Sequence, residues 1–323
     1  MTFKARGLYA SSSKEPRRFR VGPWLLLGAV LVAALVVATA FSVLGSVGVD
    51  HGDRSDTYDA PQSMEIENST GGDVILTGGD EGVRLDRTLR GTPLTEPEED
   101  IETSGDALQV EALCLGVPFL GGCRVDYEVA VPEGTAVTVE TVSGRISVEN
   151  VHGELNLTST SGQVRVDDTS GDVTAESTSG RIDVTGARGS LVAETTSGRI
   201  TAEGEGESLQ ASSTSGHVDV SGFDARTVTA ESTSGGVQVG GDFTEARVST
   251  VSGSIGVTTE DTFDLLSMES VSGGIHVQVP EGVYEVTGES ASGGRHVGVE
   301  TSSGADARIE ADTVSGTLSV TSG

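Results

Sequence analysis

The chain has 323 residues, with 45 glycines, 8 prolines and only 4% aromatics. Glycine this frequent without a G-x-y period excludes collagen, and the regular return of valine and isoleucine excludes a solvated, disordered chain. The formal net charge is −29, and residues 21–323 hold 14 arginines, no lysine and 48 acids; such a polyanion repels nucleic acid at long range.

Residues 1–20 form a basic tail with Lys4, Arg6, Lys14, Arg17, Arg18 and Arg20 against a single acid, Glu15. The 21 residues Trp24–Leu44 carry no charge. As a helix they would rise about 31 Å, enough to cross a bilayer core. Residues 21–47 are therefore expected to be a single-pass anchor. The basic flank places residues 1–20 in the cytoplasm and the body after Val47 outside the cell membrane. Ala38-Thr39-Ala40 also has the small-x-small form of a signal-peptidase site, so release after Ala40 stays open. The apolar run continuing past Ala40 favours a retained anchor.

Residues 48–61 are polar and read as a short tether. Residues 62–134 are β-like but irregular: Met64 and Ile66, Val74 and Leu76, Val83 and Leu85, then Val125 to Val131 alternate with polar neighbours, as in half-buried strands. This segment is expected to supply N-terminal coils. Thr92–Asp100, with Pro93 and Pro97, reads as an excursion. The two cysteines, Cys114 and Cys123, are nine residues apart. Export permits a disulfide, closing a short loop in which Gly116, Gly121 and Gly122 allow tight turning. The spacing excludes a CxxC redox pair.

Regularity rises over 135–323. Ser-Gly pairs recur with their glycines at Gly144, Gly162, Gly180, Gly198, Gly216, Gly235, Gly253, Gly273, Gly293 and Gly316, in steps of 18 to 23 residues. Such a period is a repeat-architecture signature. Counted from each glycine, positions +2 and +4 are apolar (Ile182 and Val184, for example), as are −7 and −5 (Val173 and Ala175). Arg295 interrupts the +2 column and Gly288 the −5 column. Position −1 is always serine, and −3 is always serine or threonine. Spacings of two build strands with one buried face, not a helical stripe. Two short strands per repeat cannot stand alone, but stacked coils cover one another. The expected fold is all-β: a parallel β-solenoid of about 18-residue coils. The Ser-Gly glycine points to a corner with positive φ, and the −3 hydroxyl to a partner for backbone groups there and in the next coil. The strand of Leu318 and Val320 ends the repeat without a charged or helical cap, so an edge is expected at the C-terminus, open to edge-to-edge self-association or to a partner, or closed by the few terminal residues.

The search for chemistry yields little. Acids recur at −4, and Glu176 beside Glu194 is the candidate cation-facing column, with calcium the cofactor it would take. No GGxGxD repeat or EF-hand loop accompanies it, and Arg145, Arg181 and Arg199 stand near enough in sequence to offset repulsion. No cofactor is otherwise expected. His276 and His296 both lie three residues after a repeat glycine, in consecutive repeats, without a third metal ligand. No GxSxG, HExxH, P-loop or dinucleotide fingerprint occurs. A carbohydrate-cleaving solenoid would need converging carboxylates, basic groups and aromatic platforms; the one tryptophan, Trp24, falls in the apolar segment.

The alternating opening from Met64 to Leu76, the stretch Val125-Asp126-Tyr127-Glu128-Val129-Ala130-Val131-Pro132-Glu133-Gly134 and the many Thr-Ser-Gly and Val-Ser-Gly copies resemble the bacterial adhesin-like family called domain of unknown function 4097, over about residues 62–323. The resemblance implies a cell-surface β-solenoid with no assigned enzymatic role. The reading is a non-catalytic interaction or structural module, meeting a surface protein or glycan. The alternatives are a polysaccharide lyase or hydrolase on a β-helix, and an envelope or cation sensor.

Overall fold

A computed structural model describes residues 22–79, 81–116 and 122–323; the basic tail 1–20 and Gly121 lie outside them. Helix α1 spans Gly22–Ser46, and no part of its apolar stretch Leu26–Ser46 is buried against the rest of the chain.

The segment expected to be a tether is instead mostly strand. β1 (Val49–Tyr58) begins three residues after the helix ends. It pairs antiparallel with β4 (Val83–Gly91), from Val49 opposite Gly91 to Tyr58 opposite Val83. Most of its residues on both faces are solvent-exposed, so it carries no apolar alternation. Its place is fixed by the main-chain ladder along the outer edge of β4.

β2 (Ser63–Asn68) and β3 (Val74–Gly79) form one coil. The expected excursion is a long hairpin, β5 (Thr95–Ser104) against β6 (Ala107–Gly116), in register from Thr95 opposite Gly116 to Ser104 opposite Ala107. β7 (Arg124–Pro132) completes the irregular part, parallel to β3 and antiparallel to β4.

From residue 136 the coils stack in parallel register. Val137, Leu155, Val173, Leu191, Leu209, Val228, Ala246 and Leu266 line up on one side of the Ser-Gly corner. Ile146, Val164, Ile182, Ile200, Val218, Val237, Ile255 and Ile275 line up on the other. All these side chains belong to one continuous buried core. Each fully buried valine or isoleucine contributes about 1.5–3 kcal/mol, which is why strands of four or five residues persist in the stack. Away from the Ser-Gly corner the core is filled by Val151 and Ala187, then by Phe223, Phe243 and Phe263. The coils of Phe223 and Phe263 are 19 and 20 residues long, while that of Phe243 keeps 18. Phe243 and Phe263 lie 5.7 Å apart, and Tyr284, isolated in the sequence, stacks on Phe263 at the same distance.

Chain order and spatial order diverge at both ends. β2 lies between β6 and the strand Ala136–Thr141, so the first coil entered is covered by a later one. At the far end Ala307–Thr313 slots between Leu265–Ser270 and Val283–Thr287. Leu318–Ser322 likewise slots between Ile275–Val279 and Arg295–Val297. The strand of Leu318 and Val320 is therefore not an edge, which removes the premise for self-association through it. The physical reason lies in the two column breaks: a coil with Gly288 and Arg295 at core positions cannot be covered on both sides, and it takes the outermost place with Arg295 exposed.

Candidate functional site: the Ser-Gly corner and its acidic face

The repeated corner is the one surface feature present in every coil. None of the ten repeat glycines has positive φ, contrary to the sequence expectation. Their requirement is proximity: a Cβ on Gly180 would overlap the carbonyl oxygen of Gly162, and one on Gly162 that of Gly144. The order of contacts runs Gly273, Gly316, Gly293, which restates the exchanged order of the last two coils. Gly72, below Gly144, extends the column.

The −3 hydroxyls hold this column together. Ser159 Oγ accepts from the Gly162 N–H at 2.8 Å and Ser177 Oγ from the Gly180 N–H at 2.7 Å. Further along, Ser232 Oγ donates to the Gly216 carbonyl at 2.9 Å and Thr313 Oγ1 to that of Gly273 at 3.0 Å. At the cap, buried Asn68 takes the equivalent place and donates to the Gly72 and Val125 carbonyls. A hydroxyl serves here because it can accept from one coil and donate to its neighbour.

Outside the −3 column the side chains face water. Thr160, Thr178, Thr196 and Thr214 at −2 and the invariant serines beside them are exposed. In the −4 column Glu67 adjoins Glu140, Thr158 adjoins Glu176, and Glu176 adjoins Glu194. Glu194 accepts from Gln210 Nε2 at 3.1 Å. Ser212 and Ser249 interrupt the acids on either side of Glu231, which limits like-charge repulsion between strands about 4.8 Å apart. A shallow groove of about 440 Å³ runs between the two columns, with Glu176, Glu194 and Glu231 on one wall and Thr160, Thr178 and Thr196 on the other. Among the described residues, Arg145, Arg181 and Arg199 form no ion pair with these acids.

His276 and His296 are not neighbours. Ser319 stands between them in register, a consequence of the inserted last coil. Among the described residues, no group of three or more histidine, cysteine, aspartate or glutamate side chains is placed to hold a metal ion. Cys114 and Cys123 are bonded, with their Cα atoms 5.7 Å apart.

Two groupings escaped the sequence. Across the coil from the Ser-Gly corner, Asp224, Asp242 and Asp261 line an open cleft of about 640 Å³ with Glu205 and Arg226. A hydrogen bond shared with Asp261, then desolvation and the charges of Asp261 and Asp224, raise the Asp242 pKa above its ordinary value. At the cap, Arg87 and Glu99 are buried together with Nη1 3.5 Å from Oε2; Arg87 also pairs with Asp56. The Tyr127 hydroxyl donates to Glu99 Oε1 at 3.0 Å. Burial first, then the Glu99 charge and this hydrogen bond, push its pKa well up. The signal was present: Val83, Leu85, Arg87 and Leu89 alternate in the sequence, which puts Arg87 on the inward face.

These features define a class, the parallel β-solenoid with one candidate membrane-spanning helix before it. The chain belongs to the Toastrack DUF4097 family, whose model matches residues 125–207 and again 191–321. The match thus begins at β7, later than the residue 62 start of the resemblance read from the sequence. Among curated proteins nothing matches. Similar solved structures include a "putative adhesin" from Parabacteroides distasonis, 12% identical, covering 83% of this chain and 97% of that one at a TM-score of 0.46. Another is a "putative lipid binding protein" from the same organism, 15% identical, covering 83% and 96% at 0.41. A third is a "putative adhesin" from Bacteroides fragilis, 11% identical, covering 84% and 97% at 0.36. The family assignment rests on the sequence match.

Proposed function

We propose that the protein is a non-catalytic, adhesin-like surface module, held to the cell membrane by α1 and presenting the Ser-Gly corner face to a protein or glycan. The basic tail 1–20 supports a cytoplasmic N-terminus and an outward body. One observation carries the proposal: exposed hydroxyls return in register from coil to coil, with Glu176, Glu194 and Glu231 spaced among them, beside a shallow groove. A surface of this kind suits an extended, multivalent contact in which weak contacts add up.

The test uses vesicles carrying the full chain, applied to arrayed extracellular proteins and polysaccharides. Retention on at least one class is expected, falling at least tenfold when Thr160, Thr178 and Thr196 are all changed to alanine. Release of shortened saccharide, abolished by Glu176→Gln or Asp242→Asn, would replace the proposal with an enzyme.

A further inference from the structure

We propose that the overhang of the N-terminal cap is a second membrane-contacting element, with Leu94 and Leu115 entering the headgroup region of the bilayer that α1 crosses. The proposal rests on the anchoring reading above. Its first support is chain length. Ser46 ends α1 and Val49 opens β1, so three Cα steps place the start of β1 within about 11 Å of the helix end.

The second support is what the fold brings to that point. Val49 is opposite Gly91. Gly91 leads into a tight turn closed by Thr92 N–H to Thr95 O at 2.9 Å and the reciprocal bond at 3.2 Å. A Cβ on Gly91 would lie 2.6 Å from the Thr95 carbonyl and 2.9 Å from the His51 ring, and Gly116 abuts the Leu94 carbonyl. So β1, the 92–95 turn and the end of β6 converge.

The third support is that this convergence leaves the body of the solenoid. β2 pairs with β6 only from Ala107 to Ala112; Leu113 to Gly116 run on beyond it, held by β5 and by the Cys114–Cys123 bond. Leu115 is 50% exposed there, Val47 49% and Val49 37%. Arg90 and Arg124 stand opposite one another at the same end and share Asp126, at 3.8 and 3.6 Å. Leu115 stands opposite Glu96 across the hairpin, so the apolar side chains suit the acyl boundary, while the arginine pair, one positive charge in excess of Asp126, suits lipid phosphates.

The experiment places the full chain in phosphatidylcholine nanodiscs, with or without lipid brominated near the top of the acyl chains. Native Trp24, the one tryptophan, reports insertion of α1. In a Trp24→Phe background, Leu115→Trp reports the overhang and Val283→Trp the outermost coil, about 50 Å away along the stack. Bromine is expected to quench the first at least twofold and the second not at all; Leu94→Trp repeats the measurement should Leu115→Trp unfold. Quenched Trp24 with unquenched Leu115→Trp and Leu94→Trp overturns the overhang contact and leaves the anchor standing. Equal quenching of Val283→Trp means a rod lying flat, which also overturns it. An unquenched Trp24 removes the anchor itself.

Discussion

A glycine at the corner is required by what the neighbouring coil puts there. Gly180→Ala would drive a methyl group into the Gly162 carbonyl, and neither backbone can retreat without shifting a ladder on both sides. Its expected cost is above about 4 kcal/mol, in the exceptional class of single substitutions. Gly134 differs: it has φ +82 but open space around its Cβ position, so Gly134→Ala should cost about 1–2 kcal/mol of backbone strain. Urea unfolding of the two variants checks the order. The column of glycines was plain in the sequence, but its cause was not, because a tight turn and a close approach select the same residue. Inside and outside were legible through the two-residue alternation. Ile182 is buried and Asp183, half-buried, accepts from Gln163 at 2.8 Å. Ile182→Asp should lower stability by roughly 4 kcal/mol or more by putting a charge into a dry column. Asp183→Ser should cost about 1 kcal/mol, the value of one hydrogen bond. Equal losses in thermal melts would contradict the assignment.

Single elements were legible where one face is dry. β1 was not, since water reaches both of its faces and only its backbone partner defines it. The outermost coil was half legible: Gly288 and Arg295 marked a defect, while its consequence, exchange of the last two coils, depends on which coil can be covered. The cap cluster makes a sharper prediction. Glu99→Gln removes one charge from a buried pair and leaves Arg87 with the half-exposed Asp56 alone, an expected loss of about 3 kcal/mol, the low end for a broken buried pair. Arg87→Met combined with Glu99→Leu should recover part of it, because neither charge is then buried alone, although the Tyr127 hydroxyl loses its acceptor. Denaturant midpoints of the single and double variants decide, and a double variant weaker than Glu99→Gln would sink the argument.

For the whole molecule, charge is the unbalanced quantity. Stacked coils bring acids onto shared faces, and few arginines offset them: Arg247 pairs with Glu245, while Arg308 is shared by Glu285 and Glu310. Raising NaCl from about 10 to 500 mM, which shortens the screening length several-fold, should raise Tm. Calcium and magnesium at matched ionic strength should give equal shifts, as expected of a diffuse acidic face. A larger shift with calcium, read by calorimetry, would point to a built cation site along Glu176 and Glu194. Register was readable as far as the coil of Gly273, because up to there every coil solves the same packing problem. The ligand was not, because uniform coils leave no residue chemically singled out.

The threading of the terminal coils gives the molecule a mechanical polarity. Tension between the anchoring helix and residue 323 would load Leu318–Ser322 along its length, where the ladders to Ile275–Val279 and Arg295–Val297 must slide together. At the opposite end the same force meets β1 at Val49, the first rung of a single antiparallel pair, and can part it one bond after another. Under pull, the joint beside the membrane would peel while the distant coils stay whole.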